Sequence, residues 1–514
     1  MKKGLYVILP VLIALALRLY PHLISGLPFS TDAWSPIRNT ELLAEHTSTP
    51  LNDKIFDGYN NYWPANSLFG VVISQVTSLK PMEAMAIFLP LTGAIAILIF
   101  YTITEKLYNA KISLIASIIF GTTFTHAFFT AGVTKETYAN PLYLSLILIF
   151  LHPTLGKHEK KQVLLFTTTS ITLALTHHFT SLITIFVLLS IALAHFVDNM
   201  KNGLNANKSE FLFILILITV TGLYYGLYAQ AGLAMPLTIS DWLSVASYQV
   251  LTFALVLYFT SKPHVETETR TLITGLGTIA SAFLFILLTI NTPLVPGFTP
   301  TVQRNVLLYV SPYFIALPFI TLGYGYQRRI RGSIAPLFWL ATLWGLEAYA
   351  VFSSSSQSIG LWIRTPNFLY APLAILSAAG LYRLYETTKK SYLQRLIKTA
   401  VIASILVIAT INIYSLYAAV SLQDRYMGYQ WLYRTQEYQA GAWVAVTTSN
   451  TTVAGDMKVW HLMHDYFCEK VDVLQGFRYL TGESEQPQIL FVYSQMLKNG
   501  YVLGLQEWIY LKTG

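Results

Sequence analysis

Asp32 stands in the stretch Phe29-Ser30-Thr31-Asp32-Ala33-Trp34, about twelve residues beyond a first apolar run. At the rim of an apolar helical bundle a carboxylate is partly desolvated, which raises its basicity and suits it to general-base work or metal binding. The same residue type in the same place also serves as a helix N-cap. A hundred residues on, Lys135-Glu136 lies where the chain turns back into an apolar run, Tyr138–His152. Charges at such a mouth are costly unless paired or used, and a mutual Lys135–Glu136 pair is the simpler account. His177-His178 could bind phosphate, shuttle protons or ligate a metal, or be plain polar residues at a helix end. Arg304 and Arg364 are each the sole basic residue of their loop. A guanidinium there could clamp a phosphate bidentately or simply snorkel to lipid headgroups. Tyr59, Tyr62 and Trp63, interleaved with Asn60 and Asn61, could stack on sugar faces while the amides bind hydroxyls. Interfacial aromatic belts use the same residue types. Gly-rich phosphate loops, Cys/His metal boxes and Ser-His-Asp patterns are absent from the sequence.

The elements that must position these residues are membrane helices. Of the 514 residues 54% are hydrophobic and 11% charged, against roughly a quarter charged in soluble domains. Long apolar runs such as Ala94–Tyr101, Leu212–Val220 and Ile402–Ile411 recur along the chain. In lipid they must be helical, because no water is present to satisfy free backbone N–H and C=O groups. The net charge of +8 is what orientation-setting Lys and Arg produce in cytoplasmic loops, so it argues for no nucleic-acid partner. One cysteine, Cys468, excludes an internal disulfide. The start, Met1-Lys2-Lys3 followed by an apolar run without a small-residue cleavage site, reads as a retained first helix.

Fourteen stretches are candidate spans: 4–20, 66–79, 84–104, 111–130, 138–152, 162–176, 179–197, 209–229, 241–260, 271–290, 305–323, 333–352, 365–383 and 399–420. The second is short and interrupted by Ser74, Gln75, Thr77 and Ser78, as interfacial or re-entrant segments are. With 66–79 not crossing and the N-terminus inside, 19 of the 33 Lys and Arg residues fall on the inner side and 7 in the outer loops. Letting it cross would put Arg328-Arg329 and Lys389-Lys390 outside, against the positive-inside rule. The expectation is an all-α polytopic membrane protein with about 13 transmembrane helices, its N-terminus inside and its C-terminus outside. Residues 1–420 form the membrane domain, with external loop 1 at 21–83 and a non-spanning helix at 66–79. Residues 421–514 form a small extracytoplasmic α/β domain. Its helix falls at Gln436–Val446, its short strands at Thr452-Val453-Ala454 and Ile489–Val492, and a turn at Gly455-Asp456. This topology brings Asp32, Glu136, His177, His178, Arg304 and Arg364 to one membrane face.

This arrangement resembles the GT-C glycosyltransferases, membrane enzymes that take a sugar from a polyprenyl-phosphate or pyrophosphate carrier. The span count is most similar to that of the oligosaccharyltransferase catalytic subunit. Thr31-Asp32-Ala33-Trp34 through Tyr62-Trp63-Pro64 is similar in layout to that family's first loop. Glu437–Val446, leading to Val453-Ala454-Gly455-Asp456, is similar to its approach to the C-terminal domain. Where that subunit carries a Trp-Trp-Asp-Tyr-Gly acceptor motif, this sequence holds Val453-Ala454-Gly455-Asp456-Met457, and Lys135-Glu136 stands where a two-acid motif is expected. Both departures argue against asparagine-linked transfer and for a single-sugar transferase of the same fold. The resemblance implies Asp32 as general base or as the group that orients the acceptor hydroxyl, with Glu136 supporting it or sharing an optional Mg²⁺ or Mn²⁺ ion. It implies Arg304 and Arg364, with His177 or His178 and Lys135, at the departing lipid phosphate, and Tyr59, Tyr62 and Trp63 at acceptor or sugar. The implied partners are a polyprenyl-phosphate-linked sugar, membrane lipids, and a lipid, glycan or protein acceptor. A lipid-linked polysaccharide polymerase or ligase, or a flippase, is the rival reading; transporters usually show internal repeats, and none is evident here. The Asn450-Thr451-Thr452 sequon is a candidate glycosylation site on the outer face.

Overall fold

The computed structural model describes residues 3–46, 58–151, 159–203, 208–232, 238–261, 280, 304–329, 333–353, 361, 364–387, 391–422, 428, 430–448, 451–503 and 508–510. The protein is an integral-membrane, predominantly helical chain. Among the described residues eight helices are long and apolar enough to cross a bilayer: Tyr6–Ser25, Pro81–Leu107, His178–Lys201, Ser209–Tyr228, Ile239–Ser261, Ala335–Phe352, Pro366–Glu386 and Gln394–Ser421. Ala110–Thr122 and Phe124–Ala131, which meet at an angle of 61°, are together long and apolar enough for a ninth. The expected spans at 138–152, 162–176 and 305–323 are helices too (Lys135–Phe150, Glu159–Thr176 and Arg304–Arg329), shorter or more polar than the eight. Apart from residue 280, the expected span at 271–290 lies outside the described residues, as does Asn450 of the sequon. Ala65–Thr77 is a helix of 13 residues, about 20 Å long and well short of the roughly 30 Å hydrocarbon core. It ends where Ser78 takes a left-handed conformation, φ 59°.

The chain divides into two compact units. The first comprises residues 1–15, 93–129 and 139–415, the second residues 16–92, 130–138 and 416–514.

In the first unit the helices are held by small residues and paired polar groups, the devices available where lipid supplies no hydrophobic drive for association. Gly323 and Gly380 let the helices Arg304–Arg329 and Pro366–Thr387 touch backbone to backbone, since a Cβ on either would run into the carbonyl of Leu376 or Phe319. Gln249 and Thr342 bond reciprocally: Gln249 Nε2 donates to the Thr342 carbonyl at 2.8 Å and Thr342 Oγ1 donates to Gln249 Oε1 at 2.9 Å. Trp339 Nε1 donates to the Tyr143 hydroxyl at 2.8 Å in the middle of the core. Where one span was expected over 111–130 the helix bends at Thr123, and a long-range cap meets the new helix start. Asn412 Oδ1 accepts the Phe124 N–H at 2.8 Å, satisfying a donor that a fresh helix start would leave open.

In the second unit the C-terminal segment is a small α/β layer. Strands β1 (Val453–Ala454), β2 (Val471–Asp472) and β3 (Ile489–Leu490) form a parallel sheet in the order β2-β1-β3. The helices Met457–Met463 and Val473–Leu480 connect them, as parallel strands require. β4 (Tyr501–Leu503) and β5 (Trp508–Tyr510) form an antiparallel pair. The core is Val453, Val459, Met463, Phe491, Met496 and their neighbours. Asp456 is fully buried: one carboxylate oxygen caps the helix by accepting from Val459 N at 3.0 Å, and the other accepts from the Tyr493 hydroxyl at 2.6 Å. Beside it Lys458 and Glu437, 1% and 6% exposed, pair at 2.8 Å. Lys458 Nζ also donates to the Leu432 carbonyl at 3.0 Å and lies 4.5 Å from the Tyr493 ring centre.

Removing one partner of such a pair strands a buried charge. Lys458→Met is expected to cost about 3 kcal/mol of stability in thermal unfolding of the purified protein. The double variant Lys458→Met/Glu437→Gln is expected to recover most of that loss, because neither charge is then left buried alone.

Candidate active site

The site residues of the second unit are positioned by a backbone junction. Phe29 and Leu432 form an isolated antiparallel bridge. Ser30 N donates to the Trp431 carbonyl at 3.0 Å, and Val133 N donates to the Phe29 carbonyl at 2.9 Å. The first loop, the second loop and the entry to the C-terminal segment are thus tied at two consecutive residues. Ser30 is fully buried with φ 98° and ψ 142°, a region that side chains rarely occupy and that costs on the order of 1–3 kcal/mol. Its hydroxyl accepts the Asp32 N–H at 3.2 Å. Asp32 follows in a short 3-10 turn, Thr31–Ala33, and is exposed between buried Thr31 and buried Ala33. A strained, pinned serine therefore presents a carboxylate to solvent, and such strain clusters at functional sites.

The helix Trp34–Glu45 continues from this turn. Trp34 is completely buried among Tyr433, Tyr438 and Tyr466, with ring centres 4.9, 5.9 and 5.4 Å away. Further along, the Tyr466 hydroxyl donates to the Glu41 carboxylate at 3.1 Å. Burial raises the Glu41 pKa above the ordinary carboxylate value; the Tyr466 bond opposes the rise, Glu45 adds to it and Arg38 lowers it. Burial also pushes the Tyr466 phenol up, so it stays protonated as the donor.

Lys135 and Glu136 open the helix Lys135–Phe150. Lys135 Nζ donates to Asn60 Oδ1 at 2.7 Å and lies 5.8 Å from the Trp63 ring centre. Glu136 is buried, next to Thr137, whose N–H donates to Thr134 Oγ1 at 3.1 Å. Asn60 Nδ2 in turn donates to the Ser35 hydroxyl, joining the turn Gly58–Tyr62 to the helix that follows Asp32. Tyr62 is half-buried, edge-on to Trp63 at 6.0 Å, and Trp63 is buried at 1% exposure. Tyr59 lies in the same turn; its side chain is outside the described set. Arg18 emerges from the structure rather than from its residue type: it is wholly buried in the first helix, and Nε donates to Thr130 Oγ1 at 2.8 Å.

The remaining expected residues belong to the first unit. His177 and His178 are both buried, their rings 5.4 Å apart. His177 Nδ1 pairs with Thr180 Oγ1 at 2.7 Å where the helix His178–Lys201 begins. Arg364 is half-buried just before the helix Pro366–Thr387, and Arg304 is the first residue of the helix Arg304–Arg329. His126, which no spacing marks, is buried in the same unit, 3.4 Å from Asn140 Oδ1. Among the described residues no group of three or more His, Cys, Asp and Glu is placed to hold a metal ion. Asp32 and Glu136 alone would leave Mg²⁺ most of its coordination positions for water and substrate phosphate.

The fold is that of the GT-C membrane glycosyltransferases. No protein-family model matches the sequence, and no curated protein does. The apo oligosaccharyltransferase of Archaeoglobus fulgidus superposes with a TM-score of 0.58 at 16% identity, over 91% of this chain and 64% of that one. This chain therefore spans under two thirds of that protein's length. The same organism's AglB, in complex with an inhibitory peptide and a dolichol-phosphate, gives 0.58 at 16% identity over 94% and 67%. ArnT from Cupriavidus metallidurans in the apo state gives 0.50 at 13% identity over 92% and 86%. At such identities the likeness establishes the fold alone.

A carboxyl with a raised folded pKa binds more protons folded than unfolded. Its contribution to stability therefore falls as pH rises from the ordinary carboxylate value through the raised one. Glu41→Gln keeps an acceptor for Tyr466 without the charge. Its thermal midpoint relative to wild type is expected to climb between about pH 4.5 and neutrality, read by a thermal-shift series.

Proposed function

We propose that this chain is an integral-membrane glycosyltransferase that moves a sugar from a polyprenyl-phosphate or pyrophosphate carrier to an acceptor on the extracytoplasmic face. The observation that carries the reading is the presentation of Asp32. An exposed carboxylate follows a strained, fully buried serine, at a junction of three distant segments, in a chain with the GT-C fold. The complex of the Archaeoglobus fulgidus AglB with an inhibitory peptide and a dolichol-phosphate supports a lipid carrier and a separate acceptor. The positive-inside count, with 19 basic residues on one side, supports the extracytoplasmic placement.

In this reading the Asp32 carboxylate accepts the acceptor hydroxyl's proton as that oxygen attacks the anomeric carbon. The bond from the anomeric carbon to the phosphate oxygen breaks, and the carrier phosphate leaves with the electron pair. Lys135, held by Asn60 at 2.7 Å, supplies positive charge toward the developing phosphate. Glu136, buried one residue further along, supports Asp32 in this reading. A divalent ion, where bound, would neutralise phosphate charge and would take Asp32 and Glu136 as its protein ligands. The resemblance assigns His177, His178, Arg304 and Arg364 to the carrier phosphate. We propose that role separately, and Arg364→Ala is its test through the KM for the lipid donor.

Asp32→Asn is expected to lower transfer by about 10²–10⁴-fold while leaving thermal unfolding unchanged, since the side chain is exposed. The measurement is release of free carrier and of transferred sugar from a panel of polyprenyl-phosphate sugars, with wild type beside the variant. Full activity in Asp32→Asn would remove the residue from the mechanism. No turnover of any donor, with lipid binding intact, would turn the reading to a flippase or polymerase.

A further inference from the structure

Within the second unit a half-open cavity of about 220 Å³ lies beside the candidate catalytic segment. Ser35, Arg38 and Asn39 of the helix Trp34–Glu45 line one wall, Asn60 the floor, and Trp460, His464 and Asp465 the other wall. Two of its residues tie it to the chemistry. Ser35 stands three positions after Asp32, and Asn60 holds both the Ser35 hydroxyl and the Lys135 ammonium.

The lining is built rather than incidental. Each Asp465 oxygen is engaged by one imidazole: Oδ2 by His461 Nδ1 at 2.9 Å and Oδ1 by His464 Nδ1 at 3.1 Å. The His464 ring stacks on Trp460, centres 4.5 Å apart and 11° from parallel, while His461 meets the indole edge-on at 5.0 Å. The carboxylate is thereby fixed in orientation, with a lone pair on each oxygen left for a ligand. Asn39, 6% exposed, and Asn60 add amide donors and acceptors, and Arg38 adds a planar donor fork.

We propose that this cavity binds one pyranose ring of a saccharide acceptor. The inference rests on the glycosyltransferase reading and names its acceptor class. Paired acceptors from a carboxylate, amides that both donate and accept, a guanidinium and an indole surface match a ring that alternates hydroxyls with C–H faces. A carboxylate facing the space disfavours a phosphate. The lack of an apolar side-chain pocket in the wall disfavours a peptide, whose recognition uses such pockets. The volume lies below the roughly 300–1,000 Å³ of pockets for drug-sized ligands, so one ring is the fitting size. The junction with Asp32 makes the bound sugar the acceptor rather than the donor.

The test is saturation-transfer NMR on the full chain in lipid nanodiscs free of glycoside detergent, with methyl hexopyranosides as probes and an Asn-Val-Thr peptide as competitor. Wild type is expected to transfer saturation to at least one methyl hexoside. Asp465→Asn and Trp460→Ala are expected to weaken that binding by about 10- to 100-fold. Asp465→Asn preserves shape, so it stands as the deciding variant if Trp460→Ala is unstable. In the transfer assay the same variants raise the acceptor KM and leave the donor KM unchanged. Saturation of no hexoside, undiminished signals in Asp465→Asn, or displacement by the peptide would each overturn the proposal. Because binding is read without turnover, absence of transfer by wild type would count against the enzymatic reading and not against the saccharide site.

Discussion

Two backbone hydrogen bonds at consecutive residues, Ser30 N to the Trp431 carbonyl and Val133 N to the Phe29 carbonyl, set where everything in the second unit must lie. They join segments about one hundred and four hundred residues apart. They also leave Ser30 in a conformation glycine would adopt more easily. That cost is offset by what packs around it: Phe29 and Trp431 meet edge-on at 5.5 Å, and Trp34 fills the space among three tyrosines. With the backbone clamped on one side and the indole locked on the other, the turn that carries the exposed carboxylate is fixed in place, which is the backbone pre-organisation that proton transfer needs.

The C-terminal segment spends its most conspicuous residues on structure. Asp456 follows β1 at the position where a parallel sheet often opens onto a ligand, yet both its oxygens are consumed by Val459 N and the Tyr493 hydroxyl. Lys458 is likewise absorbed by Glu437 and the Leu432 carbonyl. The groups that line open space come later, Trp460 on the helix Met457–Met463 and His464 and Asp465 in the turn that ends it. The stretch Val453–Met457 is therefore spent on the core.

In the first unit the same economy governs membrane helices. Lipid gives no reward for hiding apolar surface, so the contacts that specify neighbours are close backbone approaches and polar pairs. Gly323 with Gly380, Gln249 with Thr342, and Trp339 with Tyr143 are of this kind. The break at Thr123 shows the complementary case, in which an amide from a helix nearly three hundred residues away satisfies a donor that lipid cannot.

What the amino-acid order settled by itself was the class of molecule. Apolar runs long enough to span and few charges mark a membrane protein through transfer free energy, which is local and additive along the chain. The α/β character of the tail was legible for the same reason, with β1 inside the expected 452–454 and β3 at the start of the expected 489–492. Asp32 could be singled out as a charge in an awkward place, but its environment could not, because that depends on Trp431 and Val133. Only the tertiary structure decided that His177 and His178 are buried, that Lys135 leans on Asn60, that Arg18 is enclosed in the first helix and that His461, His464 and Asp465 make one cluster. Each is a contact between residues whose types are unremarkable alone, and whether a polar group is spent on a neighbour or left for a ligand is a property of the pair.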